Sequence, residues 1–201
     1  MRIALFALLL AGCASPQGGR RSLFDGRSLG SWEAVKFGAE GTVEGVEGVM
    51  RLAAGNPLTG VRWAGDALPR TNYEFSLEAM RVEGNDFFCG IVFPVGENLC
   101  SFVAGGWGGG VTGLSSVDEM NASENETSSH RRYERDRWYA IRLRVTPSKI
   151  EAWVDQDRVV SLSLENKQIS VHPSVEIAGP LGICSYETRA HYRNLTLRAL
   201  P

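Results

Sequence analysis

Residues 139–164 read YAIRLRVTPSKIEAWVDQDRVVSLSL, and their pattern indicates an all-β fold. Apolar side chains recur at every second position in three successive runs, which begin at Tyr139, Ile150 and Val160. Such alternation is typical of β-strands that bury one face in a core. Residues 147–148 and 155–157 interrupt the runs with residues that favour turns. The stretch therefore predicts a three-stranded antiparallel meander.

The same two-residue period extends outward from this meander. It recurs from Tyr73 to Ala79, and further apolar runs lie at 87–93, 99–103, 181–184 and 192–197. Turn residues separate these runs, and the chain shows no sustained helical stripe. Roughly a dozen short strands in one chain predict an antiparallel β-sandwich, with a barrel as the alternative.

The composition agrees with one globular domain. Of 201 residues, 43% are hydrophobic and 22% are charged, and the formal net charge is −2. These values exclude a disordered chain, and the spacing of the 23 glycines excludes a collagen-like one. Because a nearly neutral chain gains little from counterion release, we expect no nucleic-acid partner.

The N-terminus resembles a secretory signal. Residues 3–10 form an apolar run that is too short to span a bilayer as a helix, and Leu10-Ala11-Gly12-Cys13 resembles the bacterial lipobox. This pattern predicts a signal peptide over residues 1–12, a lipid on Cys13, a flexible tether over 13–21 and a single domain over 22–201. The protein would then be exported to the cell envelope, facing the periplasm or at the outer membrane. It would contact the membrane only through its lipid anchor.

Three cysteines remain once Cys13 is set aside: Cys89, Cys100 and Cys184. An odd number allows at most one internal disulfide. Cys89 and Cys100 flank the turn residues 94–98, so a hairpin could bring them together. The alternative is that all three are buried thiols that pack as small apolar groups.

The alternation stops between residues 104 and 132, and long irregular segments of compact domains are often functional. Trp107 lies there among six glycines between 105 and 113. A tryptophan framed by glycines can stack on a sugar ring or fill a groove between strands. Residues 108–113 also match the spacing G-x-G-x-x-G, but no helix is predicted to follow, so we do not interpret them as a nucleotide site.

Two carboxylates in this segment are candidates for acid–base chemistry. Glu124 and Glu126 are two residues apart, and in an extended strand both side chains would lie on one face. Such a pair could work as in a retaining glycosidase. Because the residues around them are polar, the alternative is that both glutamates lie in a solvated loop.

No cofactor is expected from the sequence. Asp118, Asn121 and Glu124 could instead supply oxygen ligands to a divalent cation such as Ca²⁺, although the EF-hand spacing is absent. The three histidines show no spacing typical of a metal site.

Three segments of the sequence resemble one family. Residues 23–29 read LFDGRSL and are followed by Trp32, residues 137–155 contain RWY and KIEAWVD, and the closing stretches 180–183 and 192–197 read PLGI and YRNLTL. Together they resemble the 3-keto-disaccharide hydrolase domain family over about residues 22–200. The resemblance implies a concanavalin-like or laminin-G-like jelly roll in a secreted or lipid-anchored bacterial protein. Some members of the family cleave 3-keto-glycosides by hydrolysis or elimination, so the resemblance also makes such an activity a candidate for this chain.

The sequence departs from this family at two motifs. Where many members carry polar side chains, residues 100–104 read CSFVA and residues 182–187 read GICSYE. Catalytic residues are therefore not carried over from those motifs.

The sequence leads to the following expectation for the site. A carbohydrate would bind on the concave face of the sandwich, with Trp107 stacked on the sugar. Glu124, Glu126 and His130 would be the catalytic candidates, and Asn121 and Asn125 would orient hydroxyl groups. The alternative is a non-catalytic module that binds a carbohydrate or another protein.

Overall fold

The computed structural model describes residues 19–201. The predicted signal peptide, Cys13 and most of the predicted tether lie outside the described residues. Strand pairing begins at Arg21 and ends at Ala199, and the buried core lies between these residues. This part of the chain therefore contains both sheets and the core between them.

Within the described range the chain forms fifteen strands and one short helix. In chain order they are β1 (Arg21–Ser22), β2 (Trp32–Ala34), β3 (Val43–Val46), β4 (Val49–Leu52), β5 (Leu58–Trp63), β6 (Tyr73–Glu83), β7 (Cys89–Val95), β8 (Asn98–Gly106), β9 (Val111–Ser115), β10 (Ser129–His130), β11 (Trp138–Val145), β12 (Lys149–Val154), β13 (Asp157–Ser163), α1 (Pro173–Glu176), β14 (Gly182–Tyr186) and β15 (Arg189–Ala199). No helix of residues 19–201 has the length and apolar character needed to cross a bilayer.

The strands form two antiparallel sheets, which confirms the predicted sandwich. One sheet has the order β13-β12-β11-β6-β15-β4-β3, and β1 pairs with β15 beside it. The other has the order β10-β9-β8-β7-β14-β5-β2. We refer to them as the eight-stranded and the seven-stranded sheet.

The predicted meander is β11, β12 and β13. Their alternating apolar residues, such as Ile141, Ile150 and Val160, are buried between the sheets. Burial of such side chains drives folding by removing apolar surface from water. Intervening residues such as Arg142, Arg144 and Trp153 point outward.

The segment that follows residue 104 is more regular than predicted. Strand β8 continues to Gly106, and β9 and β10 lie inside the segment. Strand β9 is buried along its whole length, so neither face is exposed and its sequence does not alternate between buried apolar and exposed polar residues. Glycines also obscure the pattern, because a residue without a side chain does not indicate which face of the strand is buried.

The three described cysteines are free and buried. Cys89 and Cys100 do lie on one hairpin, formed by β7 and β8. Cys89, however, lies opposite Ala104, and Cys100 lies opposite Phe93. Burial raises the pKa of the Cys100 thiol to about 12, so this thiol stays protonated at neutral pH.

A second, smaller apolar cluster lies on the outer side of the seven-stranded sheet. There Val175 and Ala178, from α1 and the residues after it, pack with Val92 of β7 and Cys184 of β14. This contact places α1 above the sheet, where Val175 forms part of the wall of a cleft.

Candidate functional site

A cleft of about 340 Å³ opens on the outer face of the seven-stranded sheet. Its floor comes from outward-facing residues of the central strands, and its walls come from the segments that border them. The floor contains Gly90, Val92, Ser101, Val103, Ser115 and Cys184, and the walls contain Asp86, Phe87, Trp107, Asn121, His172, Ser174, Val175 and Tyr186. A mostly apolar floor with a few polar groups around it is typical of small-molecule sites.

Trp107 borders this cleft from the turn between β8 and β9. Its side chain is 48% exposed, so it does not fill a groove in the core. The backbone of Trp107 has a φ of +50°, and Gly108 and Gly109 also have positive φ values. A bulky residue rarely adopts this conformation unless the surroundings hold it there.

Arg81 holds this turn from below. The residue is only 3% exposed, and its Nη2 donates to the carbonyl oxygens of Asp86 (3.1 Å), Gly105 (3.0 Å) and Gly109 (3.2 Å). A Cβ atom at Gly105 would collide with this Nη2. The glycines near Trp107 thus make room for a buried guanidinium, a role that the sequence did not indicate.

Asp86 ties the same turn to the start of β7. One carboxylate oxygen accepts from the Phe87 amide (2.7 Å) and the other from the Gly108 amide (3.1 Å). These two hydrogen bonds hold the carboxylate in place at the border of the cleft. Among residues 19–201, Asp86 is the one carboxylate that lines the cleft, and no lysine or arginine lines it.

His172 borders the cleft at the start of α1. Its Nδ1 accepts from the Ser174 amide (3.2 Å) as an N-terminal cap and lies 2.8 Å from Ser174 Oγ. Because Nδ1 acts as an acceptor from the backbone, a neutral ring carries its proton on Nε2. The exposed imidazole therefore has a donor available for a ligand.

The structure brings two of the predicted site residues to the cleft: Trp107 and Asn121. Asn121 Oδ1 accepts from the hydroxyl of Ser115 on the floor (3.3 Å). Glu124, Glu126 and His130 are exposed and do not line the cleft. Glu126 forms an ion pair with Lys167, and His130 lies in the edge strand β10 opposite Val111. Their catalytic role stays a prediction, and the cleft offers Asp86 and His172 as other candidates.

Asn125 is buried and also lies outside the cleft lining. Its Nδ2 donates to the carbonyl oxygens of Leu114, Met120 and Asn121, and its Oδ1 accepts from the amide and hydroxyl of Thr127. These bonds fix the loop that presents Asn121. In this structure Asn125 positions the loop.

The oxygen groups considered for calcium have protein partners. Asp118 accepts from Lys167 Nζ (2.8 Å) and from the Gln168 amide (2.9 Å), and both interactions lower the pKa of its carboxyl. The carboxylates of Asp118 and Glu126 in turn raise the pKa of Lys167 to about 12. Among residues 19–201, no group of three or more histidine, cysteine or acidic side chains is arranged to hold a metal ion.

The glycine pattern at 108–113 leads into a strand. Residues 108–110 belong to the turn and Val111 begins β9, so no helix N-terminus faces the pattern. A dinucleotide fingerprint requires that helix.

Comparison with known proteins gives a family and a fold. The family model of the 3-keto-alpha-glucoside-1,2-lyase-like domain matches residues 19–198. No curated protein matches the chain significantly.

Among solved structures, the chain is similar to the carbohydrate-binding module CBM66 from Bacillus subtilis, with 12% identity and a TM-score of 0.56 over 84% of this chain and 96% of that one. It is similar to a candidate glycosyl hydrolase from Parabacteroides distasonis, with 11% identity and a TM-score of 0.56 over 91% and 95% of the two chains. It is also similar to the Crh5 transglycosylase in complex with NAG, with 8% identity and a TM-score of 0.58 over 92% and 84%. At these identities the similarity shows the jelly-roll fold alone.

Proposed function

The chain belongs to the family of 3-keto-alpha-glucoside-1,2-lyase-like domains, and we propose that it binds a carbohydrate in the cleft bordered by Trp107. The observation that carries this proposal is the half-exposed indole of Trp107 beside the polar groups of Asp86, Asn121 and His172. The names of the similar structures, a carbohydrate-binding module and enzymes that act on glycans, support the same ligand class.

The cleft suits the two surfaces of a sugar. A pyranose ring has an apolar C–H face, which packs against an aromatic ring, and a rim of hydroxyl groups. Trp107 would cover the apolar face. Asp86 would accept hydrogen bonds from hydroxyl groups, and the Nε2–H of His172 would donate one.

The charge of the cleft indicates which sugars fit. Asp86 is the one carboxylate that lines the described cleft and no lysine or arginine lines it, so the lining offers a sugar carboxylate or sulfate no direct cationic partner. Neutral sugars and amino sugars are therefore the proposed ligands.

Substitution of Trp107 tests the binding site. We expect Trp107→Ala to lower the affinity for a bound neutral oligosaccharide by about tenfold or more, the size of a lost aromatic contact. Trp153→Ala is the matched control, because Trp153 lies on the outer face of the other sheet. Isothermal titration calorimetry gives the affinities, and circular dichroism checks folding. Equal affinities for folded Trp107→Ala and wild type would contradict the proposal.

Cleavage of 3-keto-glycosides is the second candidate, and family membership favours it. In such a sugar the C3 ketone acidifies the C2 proton. A base would take this proton, a C1=C2 double bond would form, and the C1–O bond would break as the leaving group receives a proton. Asp86 could be the base and His172 Nε2–H the acid. Both carboxylate oxygens of Asp86 already accept from backbone amides, so we place binding first.

An assay with aryl 3-keto-glucosides separates these roles. Release of the aryl alcohol by wild type, its loss in Asp86→Asn and its retention in Glu124→Gln and Glu126→Gln would support catalysis in the cleft. The opposite pattern would support the acidic pair predicted from the sequence. Measurable sugar binding without any release of the aryl alcohol would support a non-catalytic binding module.

We further propose that the protein is exported and anchored by a lipid on Cys13, as the lipobox-like sequence predicts. Metabolic labelling with a fatty acid should mark wild type but not Cys13→Ser. Equal labelling of both would contradict the anchor.

A further inference from the structure

The outer face of the eight-stranded sheet carries an ordered array of cations. Six side chains from β11, β12, β13 and β15 point outward there, and we call them the arginine face. They are Arg142, Arg144, Lys149, Arg158, Arg193 and Arg198.

These six cations share three carboxylates. Glu74 pairs with Arg142 (3.4 Å), Arg144 (3.0 Å) and Arg198 (3.0 Å). Glu151 pairs with Arg144, Lys149 and Arg158, and Glu78 pairs with Arg193. The array therefore has twice as many positive as negative groups, although the whole chain has a net charge of −2.

The cations are held in place and still reach solvent. The Glu74 side chain is only 3% exposed, whereas the six cationic side chains are 33–51% exposed. The carboxylates thus lie beneath the array and fix it, and the guanidinium groups form its surface. Arginine in such an arrangement is suited to binding phosphate.

Two tryptophans belong to the same face. The Arg142 guanidinium carbon lies 3.8 Å from the ring centroid of Trp153, and that of Arg193 lies 4.1 Å from Trp138. Tryptophan and arginine side chains are both amphipathic. They are favoured at the level of lipid headgroups, because the apolar part can contact lipid while the polar part stays in water.

The chain also enters the domain at this face. Arg21 and Ser22 pair with Leu197 and Thr196 of β15, and Ser22 lines a groove on the outer side of the sheet together with Arg142. Cys13 precedes the first described residue by six positions, a span of at most about 20 Å. A lipid on Cys13 would therefore keep the arginine face close to the bilayer.

We propose that the arginine face docks on the phosphates of an anionic lipid surface. Its placement next to the bilayer rests on the proposed lipid anchor, but its charge does not. Since the cleft lies on the outer face of the opposite sheet, docking would turn the cleft away from the membrane.

Vesicle binding by residues 19–201, which contain both sheets and the core between them, tests the docking surface without any lipid on the protein. We expect cosedimentation with vesicles that contain about one-third phosphatidylglycerol, no cosedimentation with pure phosphatidylcholine, and release by about 0.5 M salt. The triple variant Lys149→Gln/Arg158→Gln/Arg193→Gln should bind at least about tenfold more weakly. It leaves the cations around buried Glu74 in place, so that folding is retained.

The matched control is Arg27→Gln/Arg62→Gln/Arg132→Gln, which removes the same charge from exposed positions outside the arginine face. It should bind like wild type. Equal losses in the two triple variants, or no binding of wild type to anionic vesicles, would overturn the proposal. Since this protein lacks Cys13, the result is independent of the labelling experiment that tests the anchor.

Discussion

Arg81 supports the turn that borders the cleft, although it does not line the cleft itself. Its Nη2 donates to three carbonyl oxygens, two of them in the glycine-rich segment that carries Trp107. A buried cation is costly unless polar groups surround it, so the guanidinium and the turn stabilise each other.

We expect Arg81→Met to lower the free energy of unfolding by about 3–4 kcal/mol, because three carbonyl oxygens lose a donor. Urea unfolding measures this change. Arg132→Met, at an exposed arginine, should change stability by less than about 0.5 kcal/mol. A stable Arg81→Met variant with unchanged sugar affinity would show that the turn does not need this cation.

At this scale the sequence predicted the site only in part. Trp107 and Asn121 reach the cleft, because a tryptophan among glycines and a polar loop are visible locally. Asp86 was missed, since an aspartate before an apolar strand has no distinctive pattern. His172 had a weak signal: it precedes Pro173, and proline is common at the first position of a helix.

Among the elements, the loop between β9 and β10 is held in part by hydrogen bonds of the buried side-chain amide of Asn125. Asn125 bonds to backbone groups on both sides of the loop and to Thr127, which in turn accepts from the Leu114 amide (2.9 Å). The loop is therefore joined to β9 through side chains.

Replacement of Asn125 by aspartate should destabilise the protein by about 2–4 kcal/mol at pH 7. The new carboxylate would face the carbonyl oxygens of Leu114, Met120 and Asn121 with no donor of its own. Part of the loss should be recovered near pH 5, where the buried carboxyl can be protonated. Thermal unfolding of Asn125→Asp at both pH values checks this, with exposed Asn166→Asp as the control. Identical melting temperatures for the two variants would contradict the role of Asn125.

The long strands of the eight-stranded sheet were predictable because one side is core and the other is solvent. Strands β6, β11 and β12 show this alternation directly. Strands β7 and β9 do not, since they are buried on both faces. Strands β2 and β3, with three and four residues, are too short for a period to appear.

For the molecule as a whole, periodicity predicted the fold class but not the order of strands. Strand β15 pairs with β6 so that Ala199 lies opposite Tyr73, a contact between distant parts of the chain. Nothing in the local sequence fixes such a register, and the position of the cleft depends on it.

The eight-stranded sheet also makes the free energy of unfolding depend on pH. Burial raises the pKa of Glu74, but Arg144, Arg198 and Arg142 outweigh it, so the pKa lies below the ordinary value of 4.5. The native state therefore binds this proton less readily than the unfolded chain does. The resulting stabilisation is present above about pH 4.5 and is lost as the pH falls through the lower native pKa.

We expect Glu74→Gln to be less stable than wild type by about 1–2 kcal/mol at pH 7, a modest value because the arginines are partly screened by solvent. The difference should shrink as the pH falls from 5 to 3. Urea unfolding across this range measures it, and Glu165→Gln, at an exposed position, is the control. A difference that stays constant with pH would show that Glu74 acts through packing alone.

The edge strands of the two sheets affect how readily copies of the protein could pair with one another. The seven-stranded sheet ends in β10, with two residues, and β2, with three, while the eight-stranded sheet ends in β3, with four residues, and in β13. β13 has seven residues, but it starts with Asp157 and Arg158, and its pairing shifts register beside Trp153. Short, charged or irregular edges give another chain little backbone to pair with. We therefore expect many copies to lie side by side at high concentration without joining into continuous sheets.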